Sequence, residues 1–171
     1  MRTLSVESLQ VAWRGQTCVQ DLSFHVQSGE LLALIGPNGA GKSTVLRALA
    51  QLLPHQGRVL LDGEDLARLA PHQRARRLAY LAQGDQVAWP LQVRDFVALG
   101  RLPHQGRWRL ASASKTDQNA VDAALSAMHL TDMAERHLHA LSGGERARAR
   151  LARAMAVQAP LLLADEPVAA L

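Results

Sequence analysis

Apolar and polar residues alternate from Leu4 to Trp13 and again from Thr17 to Val26, with Arg14-Gly15-Gln16 between the runs. Period-two patterning of this kind predicts two half-buried strands joined by a turn. Ser28-Gly29 marks a second turn. Glu30-Leu31-Leu32-Ala33-Leu34-Ile35 is then a short, nearly unbroken apolar run, which predicts a buried strand. Val45 to Leu53 carries helical spacing and stops at Pro54. Arg58-Val59-Leu60-Leu61 reads as a strand ending at Asp62-Gly63, and Pro71 opens a short arginine-rich helix reaching about Arg77. Leu78 to Ala82 is a strand ending at Gln83.

The period then changes. From about Gly84 to Val157 the chain reads helical, with a polar break over Arg101–Lys115. Asp117 to His129 sets Val121, Ala124, Leu125 and Met128 on one face. Ser142 is placed to cap a helix running to about Val157. Leu161-Leu162-Leu163-Ala164 is an apolar strand ending in two acids, Asp165 and Glu166. No repeat or low-complexity segment interrupts this layout. The elements predict an α/β fold with an antiparallel β portion at the start and a helical insertion between strands of a core sheet.

Composition narrows the class. With 171 residues and 48% hydrophobic content the chain can bury a sizeable core, and at 20% charged residues it is not a disordered polymer. The net charge of +4 is carried by arginines scattered along the chain, Lys42 and Lys115 being its lysines. That distribution does not make a nucleic-acid stripe, and no nucleic-acid partner is expected. Cys18 is the single cysteine, which excludes an intrachain disulfide and reads as a small core residue in a reducing compartment. No apolar run approaches the length of a membrane span, and Met1–Ser5 lacks the apolar stretch of a signal peptide.

The chemistry is concentrated after the Glu30–Ile35 run. Gly36, Pro37, Asn38, Gly39, Ala40, Gly41, Lys42, Ser43 and Thr44 fit the pattern Gly-x4-Gly-Lys-Ser between a predicted strand and a predicted helix. Glycines there let the backbone wrap an anion, and the helix N-terminus favours negative charge. Lys42 is placed to reach β- and γ-phosphates and Ser43 to ligate Mg²⁺. An acid ending an apolar strand, as Asp165 does, is the usual companion of such a loop beside Mg²⁺; Glu166 is placed to orient or deprotonate an attacking water. Leu141-Ser142-Gly143-Gly144-Glu145 sets a hydroxyl and two glycines at another helix N-terminus. Taken alone it is either a plain N-cap or a second anion site. One phosphate loop already encloses a triphosphate, so a second anion site points to a composite site completed across a dimer. His137 and His139 have no Cys or acid cluster beside them and read as solvated loop residues.

Taken in order, these motifs resemble the ATP-binding subunits of ABC transporters over nearly the whole chain. Gly36–Thr44 resembles Walker A, Leu141–Glu145 the signature and Leu161–Asp165 Walker B. The resemblance makes Glu166 the catalytic glutamate and Gln83 the Q-loop glutamine, which senses Mg²⁺ and γ-phosphate. Trp13 becomes the aromatic that stacks on adenine, though alone it would be an ordinary core or turn aromatic. The implied fold is a P-loop NTPase: a core with an N-terminal β subdomain over 1–85, a helical subdomain over 86–157, and a Walker B strand over 158–171. The implied cofactors are ATP and Mg²⁺, held by Ser43, Gln83 and Asp165. The implied partners are a second cassette sandwiching each ATP between Walker A and the other copy's Ser142 and Gly144, membrane permease subunits, and indirectly a solute-binding protein. The implied location is the inner face of the cell membrane.

Arg76–Gln83 and Pro90–His104 look like the importer branch for iron complexes, haem or cobalamin. Trp89 and Pro90 lie where a permease segment should dock, and Arg146, Arg148, Arg150 and Arg153 read as a solvated or dimer-facing helix surface. A soluble, non-transport ATPase of the same class and a nucleotide-binding module without efficient hydrolysis are the competing readings. Pro167–Leu171 stands where relatives continue into a D-loop, a further strand and a switch histidine. The expectation is an incomplete reading frame or fragment, a gap in the central sheet with exposed apolar surface, and a marginally stable, weakly active 171-residue product.

Overall fold

The two alternating runs pair as their spacing predicts. In the computed structural model, which describes residues 3–13, 16–84, 90–105 and 114–167, β1 (Thr3–Trp13) and β2 (Gln16–Gln27) form a long antiparallel ladder. β1 also pairs with β3 (Gln56–Leu61), and β3 with the short β4 (Glu64–Asp65), giving the order β2-β1-β3-β4. Asp62 and Gly63 both take left-handed backbone angles, φ 56° and 79°. That is the tight hairpin turn whose twist matches the strands it joins. The expectation of a turn at Arg14-Gly15 and of a docking role for Trp89 lies outside the described residues.

One face of this sheet is the core of the first unit, residues 1–74. Leu4 and Val6 are buried on it, and then Leu9 and Val11, so the inward positions shift parity midway along β1. The shift occurs at Ser8, whose φ is 46°, where the register of β1 against both neighbours slips. A bulge of this kind re-aims the following side chains. Gly57 makes it feasible: a Cβ there would overlap the carbonyl oxygens of Glu7 and Ser8. α1 (Lys42–Leu49) covers the unit with buried Val45, Ala48 and Leu49. The pattern predicts a helix to Leu53, but the helix closes earlier. Gln51 turns left-handed at φ 61°, and the Leu52 N–H returns to Arg47 O at 2.8 Å.

Two expectations in this unit fail for one reason, strand pairing. Glu30–Ile35 is not a strand: residues 31–36 have no ladder partner among the described residues, and Leu31 and Ile35 are 97% and 94% exposed. An apolar run reports that a segment suits a sheet; it does not supply the neighbour. Cys18 is exposed, not core. Val19 takes the buried position, and in a strand adjacent residues face opposite sides.

The second unit, residues 75–171, is built on a parallel pair. α2 (Pro71–Arg77) starts at its proline as predicted and leads into β5 (Leu78–Leu81). β5 pairs in register with β6 (Leu161–Ala164), Leu78 opposite Leu161 through Leu81 opposite Ala164. β6 is less buried than its apolar run implies, since Leu162 is 43% exposed while Leu163 is buried. The chain between the strands supplies α3 (Val93–Ala98), a 3-10 helix over Leu99–His104, α4 (Lys115–Ala127) and α5 (Gly143–Ala156). Their core gathers Val93, Phe96, Val97, Val121, Ala124, Leu125 and Leu130 with Ala149, Ala152 and Ala156 of α5. The predicted α4 face is thus the buried one, with Met128 packed at its margin. Burying a side chain the size of Phe96 contributes roughly 2–3 kcal/mol. A different α5 residue, Ala154, meets Ala79 and Leu81 of β5.

Arg101 reverses its expected place in a polar break. It is 3% exposed, and its Nε donates to Asp117 Oδ1 at 2.9 Å. Asp117 also accepts from Ser114 Oγ at 2.8 Å. The Arg101 hydrogen bond, opposed by burial and reinforced by Ser114, holds the Asp117 carboxyl below its ordinary 3.8. A lowered folded-state pKa means the pair stabilises fully above that ordinary value. The contribution fades as pH falls through the lowered one. Asp117→Asn should therefore cost about 3 kcal/mol in urea unfolding at pH 7. The gap from the parent should narrow as pH drops below the ordinary 3.8. A gap that is constant down to pH about 3 contradicts the ion pair.

Candidate functional site

The glycine-rich loop and the start of α1 form one candidate site, in the first unit. Gly39 and Gly41 have φ 83° and 87°, the left-handed region open to glycine, and they curl the chain into the helix. At Gly41 an added Cβ would stand 3.0 Å from Cys18 O, whereas Gly39 faces open space. At Gly36 a Cβ would lie 3.3 Å from Ala40 Cβ, so this position is tight for packing but needs no unusual backbone angle. Gly41 is the N-cap of α1, and no side chain caps it. The first turn of a helix carries N–H groups with no intrahelical acceptor. Lys42 Nζ donates to Gly36 O at 2.7 Å and Pro37 O at 2.8 Å, which fixes the ammonium over the loop's own carbonyls. A loop with left-handed turns, a helix N-terminus without a side-chain cap and a tethered ammonium suits an extended polyanion such as a triphosphate.

A separate candidate site is a cleft in the second unit, at the ends of β5 and β6. The parallel register places Gln83, two residues past β5, beside Asp165 and Glu166, which follow β6 directly. The ladder continues one step, with Asp165 N–H donating to Leu81 O at 2.9 Å. Asp165 is 4% exposed. Gln83 Nε2 donates to Glu166 Oε2, joining residues 83 positions apart. Glu166 has φ 51°, a left-handed angle that a non-glycine residue adopts at a cost of about 1–3 kcal/mol. Gly84, Ala147 and Arg150 line the same cleft. The side-chain oxygens that Gln83 and Asp165 offer in this cleft are of the kind that suits Mg²⁺.

The second unit also presents the N-terminus of α5. Ser142 Oγ accepts from Glu145 N–H at 3.3 Å, and Ser142 N–H donates to Glu145 Oε2 at 2.7 Å, a reciprocal capping box. Those bonds to Ser142, with Arg148 and Arg136 nearby, hold the Glu145 carboxyl below its ordinary value. Gly143 has open space where a Cβ would be. Trp13 ends β1 opposite Gln16; its proposed stacking role concerns a side chain outside the described residues. His137 and His139 are exposed and stacked at 5.4 Å, and no metal-sized cluster occurs among the described residues.

The α5 arginines do not share one surface. Arg146 is exposed and donates to Leu141 O at 2.6 Å. Arg153 lies over the Phe96 ring at 4.8 Å, and Arg150 faces the cleft of Gln83 and Glu166. From sequence Arg150 reads as part of an arginine surface of α5, with no signal for its place in this cleft.

The pattern of the ABC transporter family matches residues 19–169. The chain belongs to this family. Among relatives of this cassette, the "Probable siderophore transport system ATP-binding protein YusV" of Bacillus subtilis (strain 168) is 41% identical over 98% of the chain and 60% of the relative. "Hemin import ATP-binding protein HmuV" of Nocardia farcinica (strain IFM 10152) is 43% identical over 99% of the chain and 59% of its own length. The chain thus spans about 60% of the length of the curated relatives it matches. A solved structure described as an inward-facing conformation of a metal-chelate type ABC transporter superposes with TM-score 0.81 at 31% identity, covering 99% of this cassette and 62% of that chain. No helix among the described residues is long and apolar enough to cross a membrane.

The two glycines of the loop should separate on substitution. Gly39→Ala introduces only backbone strain, about 1 kcal/mol, whereas Gly41→Ala adds a clash with Cys18 O. Urea unfolding and binding of a fluorescent ATP analogue should both rank Gly41→Ala as the more damaging. Equal losses, or the reverse order, contradict the cradle geometry.

Proposed function

We propose that this cassette binds and hydrolyses ATP to drive import of a substrate such as an iron complex, haem or cobalamin through a membrane permease. The observation that carries the reading is the Gln83–Glu166 hydrogen bond beside buried Asp165, in a chain that also holds the glycine cradle and Lys42. Gly36–Thr44 bind the phosphates, and Lys42 with the helix N-terminal N–H groups stabilises charge on the transferred phosphoryl group. Glu166 accepts a hydrogen bond from water and takes its proton as the water attacks phosphorus, while the bond to the leaving diphosphate breaks. The Gln83 amide orients that carboxylate. Ser43, Gln83 and Asp165 would hold Mg²⁺, which when bound supplies positive charge to the phosphate oxygens. Trp13 would stack on adenine.

On this reading residues 1–85 and 158–171 act as the nucleotide-binding core and 86–157 as the helical subdomain. Ser142, Gly143 and Gly144 serve the ATP of a second copy. ATP contacts both copies only when they close, so it favours the closed dimer. The relatives named for siderophore transport and haemin import support the substrate class. A permease partner would hold the cassette at the inner membrane face, with any solute-binding protein acting through that permease.

Lys42→Ala in the protein as its cells make it should abolish ATP binding in a filter or fluorescence assay. Glu166→Gln should keep binding, lower kcat at least 100-fold, and accumulate an ATP-bound dimer visible by light scattering. Wild-type turnover by the Glu166→Gln protein removes the role assigned to that carboxylate.

A further inference from the structure

α5 has an unusual set of buried residues. All five, Ala147, Ala149, Ala152, Ala154 and Ala156, are alanines. Alanine permits close approach but offers no knob to lock a helix along or about its axis. Its far end is held instead by polar groups from the Leu99–His104 helix. Arg101 Nη1 donates to Ala156 O at 2.7 Å, to Val157 O at 3.4 Å and to Gln158 Oε1 at 3.1 Å. His104 Nε2 bonds Val157 O at 2.8 Å. Gly100 brings the two segments together, because a Cβ there would overlap Arg153 O. The clamp is itself anchored on two sides. Asp117 fixes Arg101 through Nε, and Arg76 Nε, one residue before the end of α2, donates to Pro103 O at 2.7 Å.

These groups meet the carbonyl end of α5, where orphan acceptors and the negative pole of the helix favour a cation. The other end carries Ser142 and Gly144. With 14 residues the helix is about 21 Å long, so a tilt of about 3° at the clamped end swings the serine by about 1 Å. Misplacement of that size in a catalytic constellation costs on the order of 100-fold.

We propose that Arg101 is a positioning residue for the ATP-bridging end of α5. It pins the C-terminal carbonyls, with His104 as its second contact, so that Ser142 and Gly144 meet the ATP bound by a second copy of the chain. The proposal rests on the composite-site reading above. It assigns Arg101 no contact with nucleotide.

The test uses the protein as its cells make it, in a Glu166→Gln background, with ATP-dependent dimer formation read by light scattering. Arg101→Met with Asp117→Leu removes the clamp but leaves no unpaired buried charge, an exchange that buried ion pairs tolerate. The expected result is a folded variant whose unfolding midpoint falls only by what the lost carbonyl hydrogen bonds cost, affinity for a fluorescent ATP analogue within twofold of the parent in the monomer, and a dimer dissociation constant raised at least tenfold. His104→Ala, which removes one contact and no buried charge, should raise it about threefold, and it decides the matter if the double variant does not fold. A folded double variant that dimerises as tightly as the parent overturns the proposal, as does an unchanged dimer in His104→Ala where that variant decides. If the parent itself forms no dimer with ATP while Arg101 is intact, the composite-site reading has failed and the proposal falls with it.

Discussion

The parallel pairing of β5 with β6 is the contact on which the assembled cleft depends. It joins two four-residue strands and carries Gln83 to Glu166 across 83 positions of sequence. Closing a loop of that length costs about 4 kcal/mol plus a constant before any contact rewards it. Four parallel residue pairs do not offset that alone. The intervening chain does so by collapsing into its own core around Phe96, Leu125 and Leu130, and by laying α5 against β5 through Ala154 and Val157. The helical insertion is therefore also the spacer that presents the two strand ends side by side.

What was legible in the sequence was whatever its own neighbours determine. The left-handed turns at Gly39 and Gly41, the capping box of Ser142 with Glu145, the start of α2 at Pro71 and the turn at Asp62-Gly63 each follow from residues within a few positions. The strand-end acids were legible for the same reason. Apart from the early stop of α1, which Gln51 sets locally, the errors lie where the deciding partner is distant. Glu30–Ile35 has the composition of a strand and no ladder neighbour among the described residues. Cys18 and Val19 are both acceptable inward residues, and only the register of β2 chooses between them. Arg101 opens the polar stretch Arg101–Lys115 in sequence, yet its partners Asp117, Ala156 and Val157 come from two other helices and the turn after one of them. Composition correctly reads such an arginine as costly to bury; it does not reveal that the acceptors exist.

Buried charge is used sparingly and in pairs. Among the described residues the buried charged side chains are Arg101, Asp117 and Asp165. The first two satisfy each other, and removing either would leave a charge in a low-dielectric interior. Asp165 lies in the cleft at the β6 end, its backbone N–H bonded to Leu81 O. Arg94 makes the complementary case at the surface. Its bonds to Asp122 and Glu135 raise its pKa, but at 40% exposure they contribute little to stability.

The two readings of Ser142, plain N-cap or anion contact, are not exclusive once the hydroxyl is treated as both donor and acceptor. In the capping box Oγ accepts the Glu145 N–H, which uses a lone pair and leaves the hydroxyl's own proton to donate. That donation is what a phosphate oxygen requires. The Glu145 carboxylate would repel a phosphate if it turned toward the helix axis. It is instead committed to the Ser142 N–H at 2.7 Å, and those bonds keep it ionised and in place. The same residue pair thus stops α5 from fraying and fixes the direction of the hydroxyl. An alanine at position 142 would remove both functions together, while a threonine would keep both and add only a methyl group. A serine chosen for capping alone has no need of two following glycines. Gly143 faces open space where a Cβ would be, so packing does not demand it. The feature that capping leaves unexplained is the one that close approach of a large anion would use.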